Sequence, residues 1–303
     1  MTPPATVGTY DLGSQMRILQ PFPHILAFYD GRIPGLRVHS NTPNWLDNGA
    51  FGLGTAAFAI IDGASAVVYD THMSIPHAVR MRSALEARGV TDMRVVLSHW
   101  HPDHVAGNAV FADCEIIANS FTADLLAENR ETLETDDPPI APLVMPNFVF
   151  EEELTLEVGR LTLHLRRLDI HSIDETVILV PEYRTLLAGD TLEDTVTYVT
   201  EPDRLEYHLR DLARMRTWDF DTILPNHGSA EKIASAGYDK RFITATELYV
   251  RHLADLPRHP GWANLTLRAF AADALATGAI EYFEPYEWVH RSNVKAVLAA
   301  TGA

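Results

Sequence analysis

The chain has 303 residues, is 47% hydrophobic and 21% charged, and carries a formal net charge of −17. Its apolar content suffices for one large domain or two, and no apolar run approaches the ~18 residues of a membrane span, so no membrane contact is expected. The acidic balance argues against a surface that tracks nucleic-acid phosphates, and the single Cys114 excludes an intrachain disulfide and a cysteine-based zinc site.

The N-terminal stretch shows neither a basic region nor an apolar core of the signal-peptide kind, so a cytoplasmic protein is expected. Residues 1–20 carry little pattern. Ile25-Leu-Ala-Phe-Tyr29 reads as a strand between Pro23 and Asp30-Gly31. Residues 40–54 are rich in turn formers yet hold Trp45 and Phe51, which suits either a loop with two aromatic anchors or a mobile flap. A hairpin follows, with strands Ala56–Ile61 and Ala66–Asp70 about a turn at Asp62-Gly63. Ser74 offers a helix N-cap, Pro76 suits a first turn, and the helical period from Ala78 to Arg88 stops at Gly89. Met93–Leu97 is a β-branched strand, and after it the spacing predicts a helix near 104–111, a strand at 114–118 that buries Cys114, and a helix near 120–130. The stretch 131–147, with four prolines, reads as a loop. Strands are expected at about 148–158, 161–168, 174–180 and 184–188, a helix at 203–217 and a strand at Thr222–Leu224. Residues 237–303 read as a helical extension of a catalytic part spanning 1–236.

The chemistry concentrates directly after the Met93–Leu97 strand. His99, His101, Asp103 and His104 lie within six residues, and neutral imidazole with carboxylate is the donor set that zinc and its neighbours favour. Three further donors sit just past apolar strands: His171 after Leu168-Asp-Ile170, Asp190 after Leu186-Leu-Ala-Gly189, and His227 after Thr222–Asn226. Singly, each would pass as a turn residue. Together they make a set of five histidines and two aspartates.

The run His99-Trp-His-Pro-Asp-His104 resembles the His-x-His-x-Asp-His signature of the metallo-β-lactamase fold superfamily. Ala188-Gly-Asp-Thr191 is similar to that family's Gly-Asp motif, Pro225-Asn-His-Gly228 to its closing Gly-His-Gly, and Tyr69-Asp-Thr71 to its Asp-Thr-Gly segment. The resemblance covers about residues 50 to 230. It implies an α/β, four-layer αββα sandwich with two metals at one edge, here followed by the helical extension. One metal would take His99, His101 and His171 and the other Asp103, His104 and His227, with Asp190 bridging. It also implies two Zn²⁺ (Fe or Mn being alternatives) and a bridging hydroxide that attacks the carbonyl of a small lactone, ester or β-lactam-like amide. Asp103 would orient the attacking group and shuttle its proton. Tyr198, eight residues past Asp190, would line the pocket or donate to an oxyanion.

Three positions depart from the family pattern: His72 stands where Gly is common, Asp174 follows His171 at three residues, and Asn226 replaces a Gly. Asp70 is the candidate to orient an imidazole, with a purely structural turn role as its alternative. No Gly-x-Ser-x-Gly elbow surrounds Ser98, so a serine hydrolase is not expected. Lactones are favoured over β-lactams because the antibiotic-degrading relatives are typically exported. Thioester hydrolysis of the glyoxalase II kind would want a basic C-terminal patch, whereas Lys240, Arg241, Arg251, Arg258, Arg268, Arg291 and Lys295 are scattered. Iron-dependent redox relatives use the same fold. A small-molecule substrate is expected, without nucleic acid, and the 237–303 helices are candidates for capping the cleft or forming a homodimer.

Overall fold

The computed structural model describes residues 10–302, and the chain folds as two compact units, one ending at His164 and the other beginning at Leu165.

The first unit is built on a seven-stranded sheet in the order β1 (Arg17–Phe22), β2 (Ile25–Asp30), β3 (Thr55–Asp62), β4 (Ser65–Tyr69), β5 (Asp92–Val96), β6 (Glu115–Asn119), β7 (Phe148–Phe150). β1 to β4 run antiparallel and β4 to β7 parallel. The sequence dictates the switch. Gly63, at φ 64°, closes the β3–β4 hairpin. The return to β5 is instead a crossover through α1 (Ile75–Glu86), whose Ser74 side chain caps the first turn and whose chain breaks at Gly89 with φ 85°. Leu26, Phe28, Val68, Met81, Val95 and Ile116 form the middle of one buried cluster. Short helices α2 (Pro102–Val105), α3 (Ser120–Glu128) and α4 (Arg130–Thr135) complete this unit.

Several expectations are refined here. β1 lies in a stretch that shows no strand pattern in the sequence, and α4 occupies part of the expected 131–147 loop. The 148–158 strand is two strands, β7 in the first sheet and β8 (Glu153–Val158) in the other. Cys114 precedes β6 rather than lying on it and is only half-buried; burial raises its thiol pKa, with Asp113 adding to the rise. Residues 40–54 resolve toward the anchored loop. A π-helical turn, Trp45–Phe51, follows the Asn44 cap, and the Trp45 indole donates to the Pro138 carbonyl at 2.8 Å.

The second sheet has six strands in the order β13 (Tyr238–Asp239), β12 (Thr222–Pro225), β11 (Thr185–Gly189), β10 (Ser172–Val180), β9 (Leu161–Ile170), β8, and β9 carries the chain from one unit into the other. β10 and β11 are antiparallel and β11 and β12 parallel. The start of β10 and the ends of β11 and β12 therefore lie at one edge, which is where the donors of this unit sit. Helix α5 (Leu205–Arg216) and the later helices α6 (Ala230–Ala234), α7 (Arg241–Asp255), α8 (Leu267–Phe270), α9 (Ala272–Ala276) and α10 (Tyr286–Thr301) make up the rest, with α5 packed on α7 and α7 on α9 and α10. Among the described residues no helix is long and apolar enough to cross a membrane.

Candidate metal centre

Parallel β4 and β5 bring two strand ends side by side in the first unit, and the side chains there are tied by one carboxylate. Asp70 follows β4 at φ 66°, a left-handed conformation uncommon for a residue with a Cβ. Its Oδ1 accepts the Ser98 backbone N–H at 2.6 Å, and its Oδ2 lies 2.9 Å from His104 Nδ1. An aspartate in this position fixes the ring so that Nδ1 carries the proton and Nε2 is left as the electron-pair donor. The orienting role expected as one alternative for Asp70 is thus present, together with the turn role. Ser98 Oγ lies 2.9 Å from His99 Nδ1 and applies the same logic to the neighbouring ring. His99 Nε2 and His101 Nδ1 stand 2.9 Å apart, the His99 and His104 rings 4.2 Å, and Asp103 Oδ1 3.5 Å from His104 Nε2. His99 and His104 are fully buried and His101 and Asp103 half-buried. Pro102 at the first position of α2 sets the turn that returns His104 to the strand ends, where the His104 carbonyl accepts the Thr71 N–H at 2.8 Å. Gly107 permits this approach, since a Cβ there would lie 2.1 Å from the Thr71 carbonyl oxygen.

His72, also at positive φ (70°), is fully buried and stacked on His77 at 4.3 Å. Its Nδ1 accepts the Met73 N–H at 3.0 Å, and burial, reinforced by His77, drives its pKa well down, so it is held neutral. It packs on His77, and its Nε2 is buried without a hydrogen-bond partner among the described residues. His77 in turn lies 3.0 Å from Asp30 Oδ2 and 2.6 Å from Ser74 Oγ.

Within the second unit the three remaining donors meet at one atom. His171 sits between β9 and β10 at φ 70°, and Gly189 at φ 55° turns the chain into Asp190, as the Gly-Asp pair suggests. His227 follows β12. Asp190 Oδ2 is 3.2 Å from His227 Nε2 and 3.7 Å from His171 Nε2, and all three residues are at most 3% exposed. The register places Asp190 beside β10, where its backbone N–H donates to Glu175 at 3.1 Å. Asn226 donates its N–H to the Gly189 carbonyl at 2.9 Å, so the change from Gly leaves this turn intact. Asp174, buried, accepts the Ser172 hydroxyl at 2.6 Å.

The sequence gives no hint of Glu193. This buried carboxylate lies 3.2 Å from His171 Nδ1, accepts the Tyr198 backbone N–H at 2.7 Å and accepts the Tyr286 hydroxyl at 3.1 Å. Where Asp70 hydrogen-bonds His104, Glu193 approaches His171 as a close charge contact without a hydrogen bond. The only available signal is its position three residues after Asp190, which no metal-ligand spacing singles out. Tyr198 is half-buried with its ring 6.0 Å from that of His171; burial, with Glu193 and Glu201 adding, raises its pKa and keeps the phenol protonated. Nearby, burial with a contribution from Asp174 pushes the Glu201 carboxyl up to about 7. The C-terminal helix holds this segment from behind: Asn293 accepts the Val199 N–H at 3.0 Å and donates to the Thr197 carbonyl at 2.9 Å.

The first unit therefore brings together His99, His101, Asp103 and His104, and the second His171, Asp190 and His227. Buried imidazole nitrogens and carboxylate oxygens are a donor set that fits a divalent cation. In the second unit the ligand atoms of His171, Asp190 and Glu193 lie within 4.8 Å of one another. Asp70→Asn is expected to weaken metal affinity about 10–100-fold, because the amide offers a single acceptor oxygen for the two donors it faces, the Ser98 N–H and His104 Nδ1. A competition titration against a zinc chelator checks this, and unchanged affinity would leave Asp70 with the strand ends alone.

A sequence model of the family described as the Metallo-beta-lactamase superfamily matches residues 50–236. Among solved structures, the chain is similar to the DIM-1 metallo-beta-lactamase (19% identity, TM-score 0.59, covering 78% of this chain and 96% of that one). It is likewise similar to a metallo-beta-lactamase from Pontibacter korlensis (15%, 0.60, 78% and 99%) and to VMB-1 (16%, 0.58, 79% and 98%). At these identities the likeness establishes a shared fold, the α/β sandwich of those proteins.

Proposed function

This chain belongs to the metallo-beta-lactamase superfamily of hydrolases, and from that premise we propose that it is a dinuclear zinc hydrolase acting on the carbonyl of a small lactone, ester or β-lactam-like amide. The observation that carries the reading is the pair of pre-oriented donor sets. In the first, His104 Nδ1 is hydrogen-bonded to the buried Asp70 carboxylate, which directs Nε2 to act as the donor to a metal; in the second, Asp190 Oδ2 gathers His227 Nε2 at 3.2 Å and His171 Nε2 at 3.7 Å, with the Glu193 carboxylate 3.2 Å from His171 Nδ1. In this reading the seven residues His99, His101, Asp103, His104, His171, Asp190 and His227 act as one ligand set.

Bound divalent metals of this kind polarise a carbonyl and bring the pKa of water toward neutrality. The protein's own groups do the rest. Asp103, half-buried on the first turn of α2, accepts a hydrogen bond from the attacking water and holds its proton for the leaving group. Asp190, set between His171 and His227, would help hold the metal and balance its charge. Tyr198, kept in its phenol form, donates to the oxygen on which negative charge develops. In functional terms residues 1–236 carry the chemistry and residues 237–303 brace it, as the Asn293 contacts with residues 197 and 199 illustrate.

A panel of lactones, esters, β-lactams and thioesters, presented to the zinc-loaded protein and to chelator-treated controls, tests the proposal. Hydrolysis of a lactone, ester or β-lactam that disappears on chelation and returns with zinc is expected. Turnover of thioesters alone, or an iron-bearing coloured protein, would assign the same fold to another chemistry.

A further inference from the structure

Helix α10 presents a second feature on the side of the second unit that carries Leu265. Between it and the 263–265 segment lies a cleft of about 280 Å³, near the lower bound of small-molecule sites (~300–1,000 Å³). Its wall is apolar: Leu265, Val294 and Leu298. Its rim holds two cations, Arg291 and Lys295, one helical turn apart.

These two cations stand out in a chain with net charge −17. Several other surface cations are neutralised: Arg82 by Glu86 and Asp113, Arg184 by Asp219 and Asp221, Arg241 by Asp239, Arg251 by Glu247. Neither the Arg291 nor the Lys295 side chain has a hydrogen bond or ion pair among the described residues, and like charges at i and i+4 repel on a helix. Glu287, one helical turn before Arg291, is buried and already committed to the Leu267 N–H at 3.0 Å and the Tyr282 hydroxyl at 3.0 Å. The imidazole of His290, at the back of the cleft, is engaged by the Tyr249 hydroxyl at 3.2 Å and the Leu265 carbonyl at 3.3 Å, and burial lowers its pKa. An anion with an apolar body satisfies both halves of this surface at once.

We propose that the cleft between α10 and Leu265 binds a small monocarboxylate with an alkyl tail, its carboxylate on Arg291 and Lys295 and its tail against Leu265, Val294 and Leu298. The inference stands on the cleft alone and does not depend on the hydrolase reading.

Calorimetric titration of the zinc-loaded protein with sodium octanoate tests it. A dissociation constant on the order of 0.1–1 mM is expected for a shallow site of this size. The double variant Arg291→Gln, Lys295→Gln should bind at least about tenfold more weakly, since two charge-assisted contacts are lost. Ala263→Phe, which fills the cleft, should abolish binding. Turnover, as the basal activity, should be unchanged in both. Equal binding of 1-octanol would show an apolar patch without anion recognition. Octanoate binding that survives both variants but vanishes on chelation would place the acid at the metal centre. A mass that doubles with concentration in the native protein and not in the variants would make the face a contact between two copies. Each of these results, or no heat of binding, overturns the proposal.

Discussion

His101→Ala is expected to reduce metal-dependent hydrolysis by about three orders of magnitude while leaving the fold intact, because a lost ligand removes transition-state charge stabilisation. The site itself explains why the effects separate. His101 occupies the N-cap position of α2, but its side chain makes no capping hydrogen bond, and the turn is set by Pro102. It is half-buried, and its ring lies against the neighbouring rings of His99 and Trp100 at 4.6 and 5.0 Å. Removing the imidazole therefore opens no core cavity. Zinc content measured by elemental analysis should fall from two toward one per chain, with an unchanged circular dichroism spectrum. Full activity in this variant would make the histidine-rich loop irrelevant to catalysis and sink the proposed mechanism.

Asp47→Ala is expected to have the largest effect on stability, a loss of about 3 kcal/mol. The Asp47 carboxylate is the hub of the 38–48 loop. It accepts the backbone N–H groups of Val38, His39 and Ser40 at 2.5, 3.3 and 3.0 Å and the Asn44 amide at 2.9 Å, with Arg37 at 3.5 Å. Alanine would leave these donors without their common acceptor. Burial raises the Asp47 pKa, but the Ser40, Asn44 and Val38 donors and the Arg37 charge outweigh it and hold the group below the usual carboxylate range. A depressed folded-state value means that its contribution is present above the unfolded carboxylate pKa and lost as pH falls through the folded one. Urea unfolding should show a native-to-variant gap that is full at pH 7 and narrows as pH drops below about 4. A gap that stays constant to pH 3 would assign the stabilisation to packing instead of charge.

What could be read from the sequence was local. Val95–Leu97, Leu186–Ala188 and Thr222–Leu224 are short apolar runs, and the donors follow them at once, so the placement of His99, Asp190 and His227 at strand ends needed no knowledge of distant contacts. The Gly63 and Gly89 breaks and the Ser74 cap are equally local. Elements decided by pairing were not legible. β1 is an edge strand, largely exposed and containing Pro21, so it shows no alternation and exists through its ladder with β2. β7 has two of its three residues exposed and joins β6 in parallel across a long connection. Glu193 escaped for the same reason: its function is defined by His171, 22 positions earlier, and by Tyr286, 93 positions later. His72, which departs from the family's usual Gly, is packed on the His77 imidazole inside the first unit.

Asn293 has a consequence for how this protein could change. A single amide joins Thr197, Val199 and the Tyr249 hydroxyl (3.1 Å), so the backbone on either side of Tyr198 inherits its shape from a turn of helix nearly a hundred residues downstream. Repacking beneath that helix would tilt the phenol without touching any donor atom. With Tyr198 facing the substrate as proposed above, the tail would be a remote dial on substrate preference, one that drift or selection could turn while the donor motifs stay letter-perfect.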